Sequence, residues 1–164
     1  MLKLNVGCAV VKETGYINID LHCDADLKHD LRKPLPYKDG EIDEILASHI
    51  LEHFSYNDMY KVLADWKRVL KDKGILHIRV PNLIKAAESI LKTEAEGDWG
   101  HYRRHPDIDI IYGGQYGAGE YHHNGFTPKR LYNIMDEAGF KIKEVLPPRD
   151  KDINEINIIF KKRI

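Results

Sequence analysis

Two cysteines, Cys8 and Cys23, are all that 164 residues contain. That scarcity excludes a disulfide-stapled secreted scaffold and leaves free thiols as the default. No apolar run approaches the ~20 residues that cross a bilayer, and the opening "MLKLNVGC" lacks the apolar segment of a signal peptide. Charge of one sign is missing too. The net charge of −1 gives no general attraction to nucleic acid or to a membrane surface, and the basic tail "KKRI" is too short to change that. Neither internal repeats nor low-complexity tracts occur. A cytoplasmic protein without nucleic-acid or membrane partners is expected. The length suits a single domain over residues 1–164, large enough to bury a real core.

What is present is an alternation of two periods. "LKLNV" (2–6) alternates and stops at Gly7, and "YINIDL" (16–21) follows Gly15, so both read as strands. "ADLKHDL" (25–31) is a weaker strand, and "IDEILAS" (42–48) is apolar on both faces, as a buried parallel strand should be. Ser55 followed by Asp58 resembles a capping box. Met59, Val62, Leu63, Trp66, Val69 and Leu70 then recur at helical spacing, with Gly74 expected after the helix end. "ILHIRV" (75–80) is a strand closed by Pro81, and a helix with a vague end near 93–97 follows. Thr127, Pro128 and Gly139 mark the start and stop of another helix. "KIKEVL" and "INIIFKK" form a final pair of strands, antiparallel because only "PPRDKD" joins them. Residues 94–126 are rich in glycine, histidine and tyrosine and are expected to be a loop or lid insertion.

Alternating strands and helices give a mostly parallel sheet with right-handed crossovers. Ligands of such sheets sit beyond the carboxyl ends of the strands, where strand order reverses. That rule gathers Gly7, Cys8, Asp20, Asp30 and residues 48–52 around one crevice. Gly7 lacks the Cβ that would keep a ligand off the backbone. Asp20, closing the second strand, can accept hydrogen bonds from a ribose diol; a plain turn aspartate is the competing explanation.

Taken together, "LNVGC…GYINIDL…HDLRKPLPYKDGEIDEILASHILEHF…WKRVLKDKGILHIRVPN" resembles the class I S-adenosylmethionine-dependent methyltransferases, most closely their compact type 11-like bacterial branch. The resemblance runs from Leu4 to about Phe140. It implies an α/β fold with a Rossmann-like seven-stranded sheet, mostly parallel with an antiparallel last strand, and S-adenosyl-L-methionine bound over the first two strands, with S-adenosyl-L-homocysteine as product. It also implies roles. Asn5 stands where the glycine motif commonly has an acidic residue. Gly7 and Cys8 would lie under the donor's amino-acid part. Asp20, with Leu21 beside it, would hold the ribose. Asp30 and Leu31 would flank the adenine, and Ser48 and His49 would face the methionine portion. Glu52 and His53 would begin the segment near the acceptor.

A sulfonium donor is already activated, so the protein mainly has to place an acceptor in line. A hydroxyl acceptor also needs a base, and histidine is the side chain most easily poised for that. His49, His53, His122 and His123 are candidates, with His53 and His123 the preferred catalytic pair; a helix-start role for "LEHF" is an equal alternative. The expected acceptor is small or medium-sized, possibly a hydroxyl on a glycan or glycan precursor. A homodimer or partner protein is possible. With the first strand starting almost at Met1, acceptor recognition is expected to fall to residues 94–126 or to a partner.

Some residues depart from the family pattern. Ala9 replaces the second glycine and Val11 the third, and the connection after Gly7 is too short for a full crossover helix. Alanine at that position is tolerable at negative φ and costly at positive φ. These departures motivate an alternative, a weak or inactive methyltransferase-like scaffold. A nicotinamide-dependent oxidoreductase fits the same strand–glycine–strand–aspartate order but fails the glycine fingerprint. His22, Cys23 and His29, and "HYRRH" (101–105), match no standard zinc spacing, so no metal is expected.

Overall fold

The computed structural model describes residues 1–97, 99, 106–117, 119–149 and 154–163. Seven strands form one sheet: β1 (Lys3–Val6), β2 (Ile17–Asp20), β3 (Leu27–Lys28), β4 (Ile42–Ser48), β5 (Leu70–Pro81), β6 (Phe140–Leu146) and β7 (Glu155–Lys162). Their order is β3-β2-β1-β4-β5-β7-β6. The pairs β1–β2, β1–β4, β2–β3 and β4–β5 are parallel, and β7 runs antiparallel to both neighbours. The direction of construction reverses at β1, with β2 on one side and β4 on the other, so the expected switch point is there.

Strand β4 has the expected bounds, and its burial on both faces follows from its place between β1 and β5. Strand β3 keeps only two residues of the segment 25–31, paired with Ile19 and Asp20, while the Asn18 N–H donates to the Asp26 carboxylate instead. Asp30 therefore lies beyond the strand.

Helix α1 (Tyr56–Val69) starts as its capping residues predict. The Ser55 hydroxyl accepts from the Asp58 N–H and donates to the Asp58 carboxylate. Its end differs from the expectation. The chain turns extended at Leu70, which is fully buried and pairs with Ile42, and the ladder then jumps to Glu44 opposite Ile75. Residues 71–74 bulge out between the two pairings. Gly74 serves that bulge rather than the helix end: a Cβ there would lie 2.9 Å from the Lys71 carbonyl oxygen. Helical spacing continues through Leu70, but sheet pairing takes that residue.

Helix α2 (Leu83–Glu96) is capped by Asn82 and ends on Gly97 in the left-handed region. Helix α3 (Pro106–Tyr112) occupies part of the expected insertion, and α4 (Pro128–Glu137) carries Thr127 as its N-cap and proline at its start. The core lies against the sheet, with Trp66, Phe126, Phe140 and Phe160 among its largest buried side chains. No helix among the described residues is long and apolar enough to cross a membrane.

Between β1 and β2 no helix forms, so the first crossover is as short as its residue count requires. Asn5 holds this loop from inside. Its buried amide donates to the Val11 carbonyl at 3.0 Å and to Asn18 Oδ1 at 2.9 Å.

Candidate functional site

Beyond the carboxyl ends of β1, β2 and β4 the chain forms a crevice of ≈ 410 Å³. That volume lies within the usual range for small-molecule sites. A hollow of ≈ 490 Å³ near Gly40, Lys67, Arg68 and Lys162 lies at the amino ends of β4 and β5; its lining includes the Arg68–Asp39 and Lys162–Asp72 ion pairs. The crevice is at the switch point, where ligand chemistry belongs.

Gly7, Asp20, Leu21, Asp30, Leu31, His49, His53 and His123 all line the crevice. Asn5, Cys8 and Ser48 do not. Asn5, at the position where the motif commonly has an acidic residue, spends its amide inside the loop. Cys8 is 4% exposed, and burial followed by the charge of Asp20 pushes its thiol pKa up, so it stays protonated. Ser48 ends β4 opposite Arg79.

Gly7 has φ 68°, and a Cβ there would meet the Ile50 side chain at 2.4 Å. Ala9 has φ 46°, so the conformation in which alanine is costly is the one adopted. The Ala9 N–H donates to Asp20 Oδ2 at 2.9 Å, and the His22 and Cys23 N–H groups donate to Asp20 Oδ1 at 2.8 and 2.9 Å. Burial alone would raise the Asp20 pKa; the three N–H donors outweigh it and hold the carboxyl below its ordinary range. A carboxylate has about four lone-pair positions, so three bonds leave roughly one for a ribose hydroxyl, fewer than the two-hydroxyl grip that its position suggested. Asp30 is similarly engaged. It takes the Arg32 N–H and Nε on Oδ1 and Nη2 on Oδ2, at 3.0, 2.9 and 3.0 Å.

The opposite wall is built by a single 3-10 turn (Leu51–His53) and the chain around 121–124. The Glu52 carbonyl accepts from the His123 and Asn124 N–H groups at 2.8 and 3.0 Å. The Asn124 side chain donates to the Phe54 carbonyl at 2.7 Å, while Arg130 donates to Asn124 and Gly125. These bonds tie the 3-10 turn that carries His53 to the chain at His123. His49, itself at φ 53°, has Nε2 3.1 Å from Glu155 Oε2 and Nδ1 3.5 Å from Glu52 Oε1. Burial would lower the His49 pKa, but the Glu52 and Glu155 carboxylates outweigh it and raise it. His53 Nδ1 is 3.1 Å from the Tyr121 carbonyl and His122 Nδ1 is 2.8 Å from the Ile110 carbonyl. Burial pushes His122 below its ordinary pKa, so its ring is neutral.

Glu155 and Tyr121 were not anticipated from sequence. Glu155 reaches His49 only because β7 inserts beside β5, pairing Glu155 with Pro81. Its sequence neighbours give no hint of that. The "HYRRH" segment (101–105) lies outside the described residues.

Sheet order, the antiparallel β7 and the crevice at the switch point define a Rossmann-like class I S-adenosylmethionine-dependent methyltransferase fold. Residues 4–78 match the family described as the methyltransferase domain, type 11. An uncharacterized protein of Methanocaldococcus jannaschii is 37% identical over 65 residues, a match spanning 40% of this chain and 26% of that protein, about a quarter of its length.

Among solved structures, an S-adenosylmethionine-dependent methyltransferase from Methanosarcina mazei is similar with a TM-score of 0.66 at 16% identity, over 99% of this chain and 92% of that one. The Burkholderia thailandensis 1,6-didemethyltoxoflavin N1-methyltransferase, solved with its substrate and S-adenosylhomocysteine, gives 0.66 at 11% identity over 99% and 71%. A methyltransferase-like chain from Haloferax volcanii, in complex with the Trm112 activator, gives 0.65 at 13% identity over 99% and 82%. At these identities the likeness is one of fold.

Proposed function

We propose that this chain transfers the methyl group of S-adenosylmethionine to a small or medium acceptor. The observation that carries the reading is the crevice floor: Gly7 at positive φ and the Asp20 carboxylate, side by side at the ends of β1 and β2. A ligand backbone can approach Gly7 because no Cβ intervenes, and Asp20 keeps one acceptor position for a ribose hydroxyl. Leu21 and Leu31 supply apolar contact for the nucleoside, with Asp30 at its edge. Ser48 and Cys8, set back from the crevice, support the backbone beneath the donor's amino-acid end, and His49 faces it.

In this reading the methyl carbon–sulfur bond breaks as a methyl–acceptor bond forms, and the acceptor's proton must leave. His53 fits that need. Its Nδ1 donates to the Tyr121 carbonyl, which leaves Nε2 with a lone pair. His123 lines the same crevice and is the second candidate. An acceptor hydroxyl on a glycan or glycan precursor is one substrate class that such a base could serve. Gly119, Glu120 and Tyr121 also line the crevice, so we assign residues 94–126 the role of its cover within one domain. A partner protein, as in the Haloferax pair, is a further possibility for supplying acceptor recognition.

The test is calorimetric titration with S-adenosylhomocysteine, followed by an acceptor screen with labelled methyl donor. Saturable binding that Asp20→Ala abolishes supports the reading. Absence of binding at millimolar ligand rejects it.

A further inference from the structure

Glu52 is a buried carboxylate behind the crevice's second wall whose oxygens, among the described residues, have no hydrogen-bond partner. Its side chain is 1% exposed. The nearest basic atom, His49 Nδ1, stands at the limit of reach, 3.5 Å away. The His49 ion pair does not satisfy both oxygens; a buried polar group without its hydrogen bonds costs about 1–3 kcal/mol, more when charged, and such a group in a folded protein calls for an ion or water that completes it.

Two histidines converge on the same place. One donor atom each from Glu52, His53 and His122 lies within 4.8 Å of the others. The two rings meet edge to face with centroids 4.7 Å apart. Their tautomers follow from their neighbours. A carbonyl oxygen can only accept, so His53 Nδ1 carries its proton toward Tyr121, and His122 Nδ1 carries its proton toward Ile110. Each Nε2 is then a lone-pair donor. A ring nitrogen tied to a backbone carbonyl, with the other left free, is the usual preparation of a metal-ligating histidine. The position is also held rigidly, because the Glu52 carbonyl takes the N–H groups of His123 and Asn124, directly after His122.

We propose that Glu52, His53 and His122 form a binding site for one divalent transition cation of the zinc type. Two imidazoles and a carboxylate select such borderline cations over magnesium or calcium. Zinc–ligand bonds of 2.0–2.1 Å in a tetrahedral site require donors about 3.3–3.5 Å apart, so the three side chains close in by rotamer adjustment when the ion binds. Three protein ligands leave a coordination position open, and His53, one of the three, lines the crevice. An acceptor hydroxyl bound to that position would have its pKa lowered by the cation, and with His53 Nε2 then held by the ion the hydroxyl's proton passes to His123, which lines the crevice. This last role rests on the methyl-transfer reading; the cation site does not.

The experiment titrates the metal-free full chain with Zn2+ by calorimetry and with Co2+ by visible absorption, with Mg2+ as the contrasting ion. One equivalent of Zn2+ or Co2+ is expected to bind and to raise the melting temperature. His122→Ala and Glu52→Gln should each weaken that binding by ~10-fold or more, with far-UV circular dichroism unchanged; His53→Gln replaces either variant if it does not fold. No Zn2+ binding at millimolar concentration overturns the proposal, as does binding that the substitutions leave unchanged or that Mg2+ matches. S-adenosylhomocysteine titrated separately reports on the donor site, so failure of one site is distinguishable from failure of the other.

Discussion

The two walls of the crevice treat their polar groups in opposite ways. On the β1–β2 side, Asp20 and Asp30 are both nearly saturated from within the chain, by backbone N–H groups and by Arg32. On the other side, Glu52 is buried with neither oxygen hydrogen-bonded, and His53 and His122 each satisfy one nitrogen and leave the other as a lone-pair donor. Saturated carboxylates define a shape, because they hold the turns that surround them. Unsaturated ones define an appetite, because the free energy of completing them remains available to a ligand. The first wall is therefore a preformed seat, and the second is where binding should change the protein most.

The most severe way to break the first wall is Gly7→Ala. The residue would have to keep φ 68° and accommodate a Cβ 2.4 Å from Ile50 Cγ1. Left-handed strain costs roughly 1–3 kcal/mol, and any shift of Ile50 moves it within the crevice lining. Urea denaturation should show a loss of that order, and S-adenosylhomocysteine binding should disappear. Retention of full affinity would mean that the donor does not pass over Gly7.

The matching break on the second wall is Gly113→Ala. Here φ is 81°, and a Cβ would fall 2.0 Å from the Glu120 carbonyl oxygen and 2.9 Å from the His122 nitrogen. These are backbone atoms, so the chain leading to His122 must move. Global stability should fall by about 1–2 kcal/mol, less than for Gly7, because the strain can be relieved in a surface segment. Methyl transfer and Zn2+ binding should both drop while S-adenosylhomocysteine affinity holds. Loss of donor binding as well would show that the two walls are not separable.

Acid should also weaken the hold of the first wall. The Asp20 pKa is depressed in the folded chain, with burial opposing and three N–H donors prevailing. A group with a depressed folded pKa stabilises above its unfolded value of about 3.9 and loses that contribution as pH falls through the folded value. The stability difference between the wild type and Asp20→Asn, from urea denaturation, should thus be flat near neutral pH and shrink below about pH 4. A difference that stays constant to the acid limit would disprove the role of these N–H donors.

How far the sequence foretold these walls depends on how local each cause is. Strand β4, the Ser55 and Thr127 caps and the missing first helix follow from nearby residues, and each was legible. The end of α1 was not, because pairing of Leu70 with Ile42 overrides a helical spacing that continues through it. The first wall was legible as residues but not as chemistry: Gly7 and Asp20 stand out by position, whereas the occupancy of Asp20 depends on loop conformation. The second wall was legible only in part. His53, His122 and His123 drew attention as histidines, but the tautomers of the first two depend on carbonyls from Tyr121 and α3, and the missing hydrogen bonds of Glu52 depend on its burial. Spacing along a chain cannot reveal which buried group is left without a partner.

The smallest expected effect decides what the broken glycine motif means. Ala9 adopts φ 46°, where a residue with a Cβ pays roughly 1–2 kcal/mol. Ala9→Gly removes that strain but returns about 0.4–1 kcal/mol of freedom to the unfolded chain. The net gain should be under about 1 kcal/mol, seen as a slight rise in the urea midpoint with an unchanged slope. Donor affinity should stay level, because the N–H that meets Asp20 belongs to the backbone and persists in glycine. That outcome would locate the turn's conformation in the Asp20 carboxylate and not in the residue at position 9. A large gain in affinity would instead mean that the methyl group of Ala9 obstructs the seat, since Ala9 itself lines the crevice. A loss of stability would show that the turn is less strained than its φ indicates.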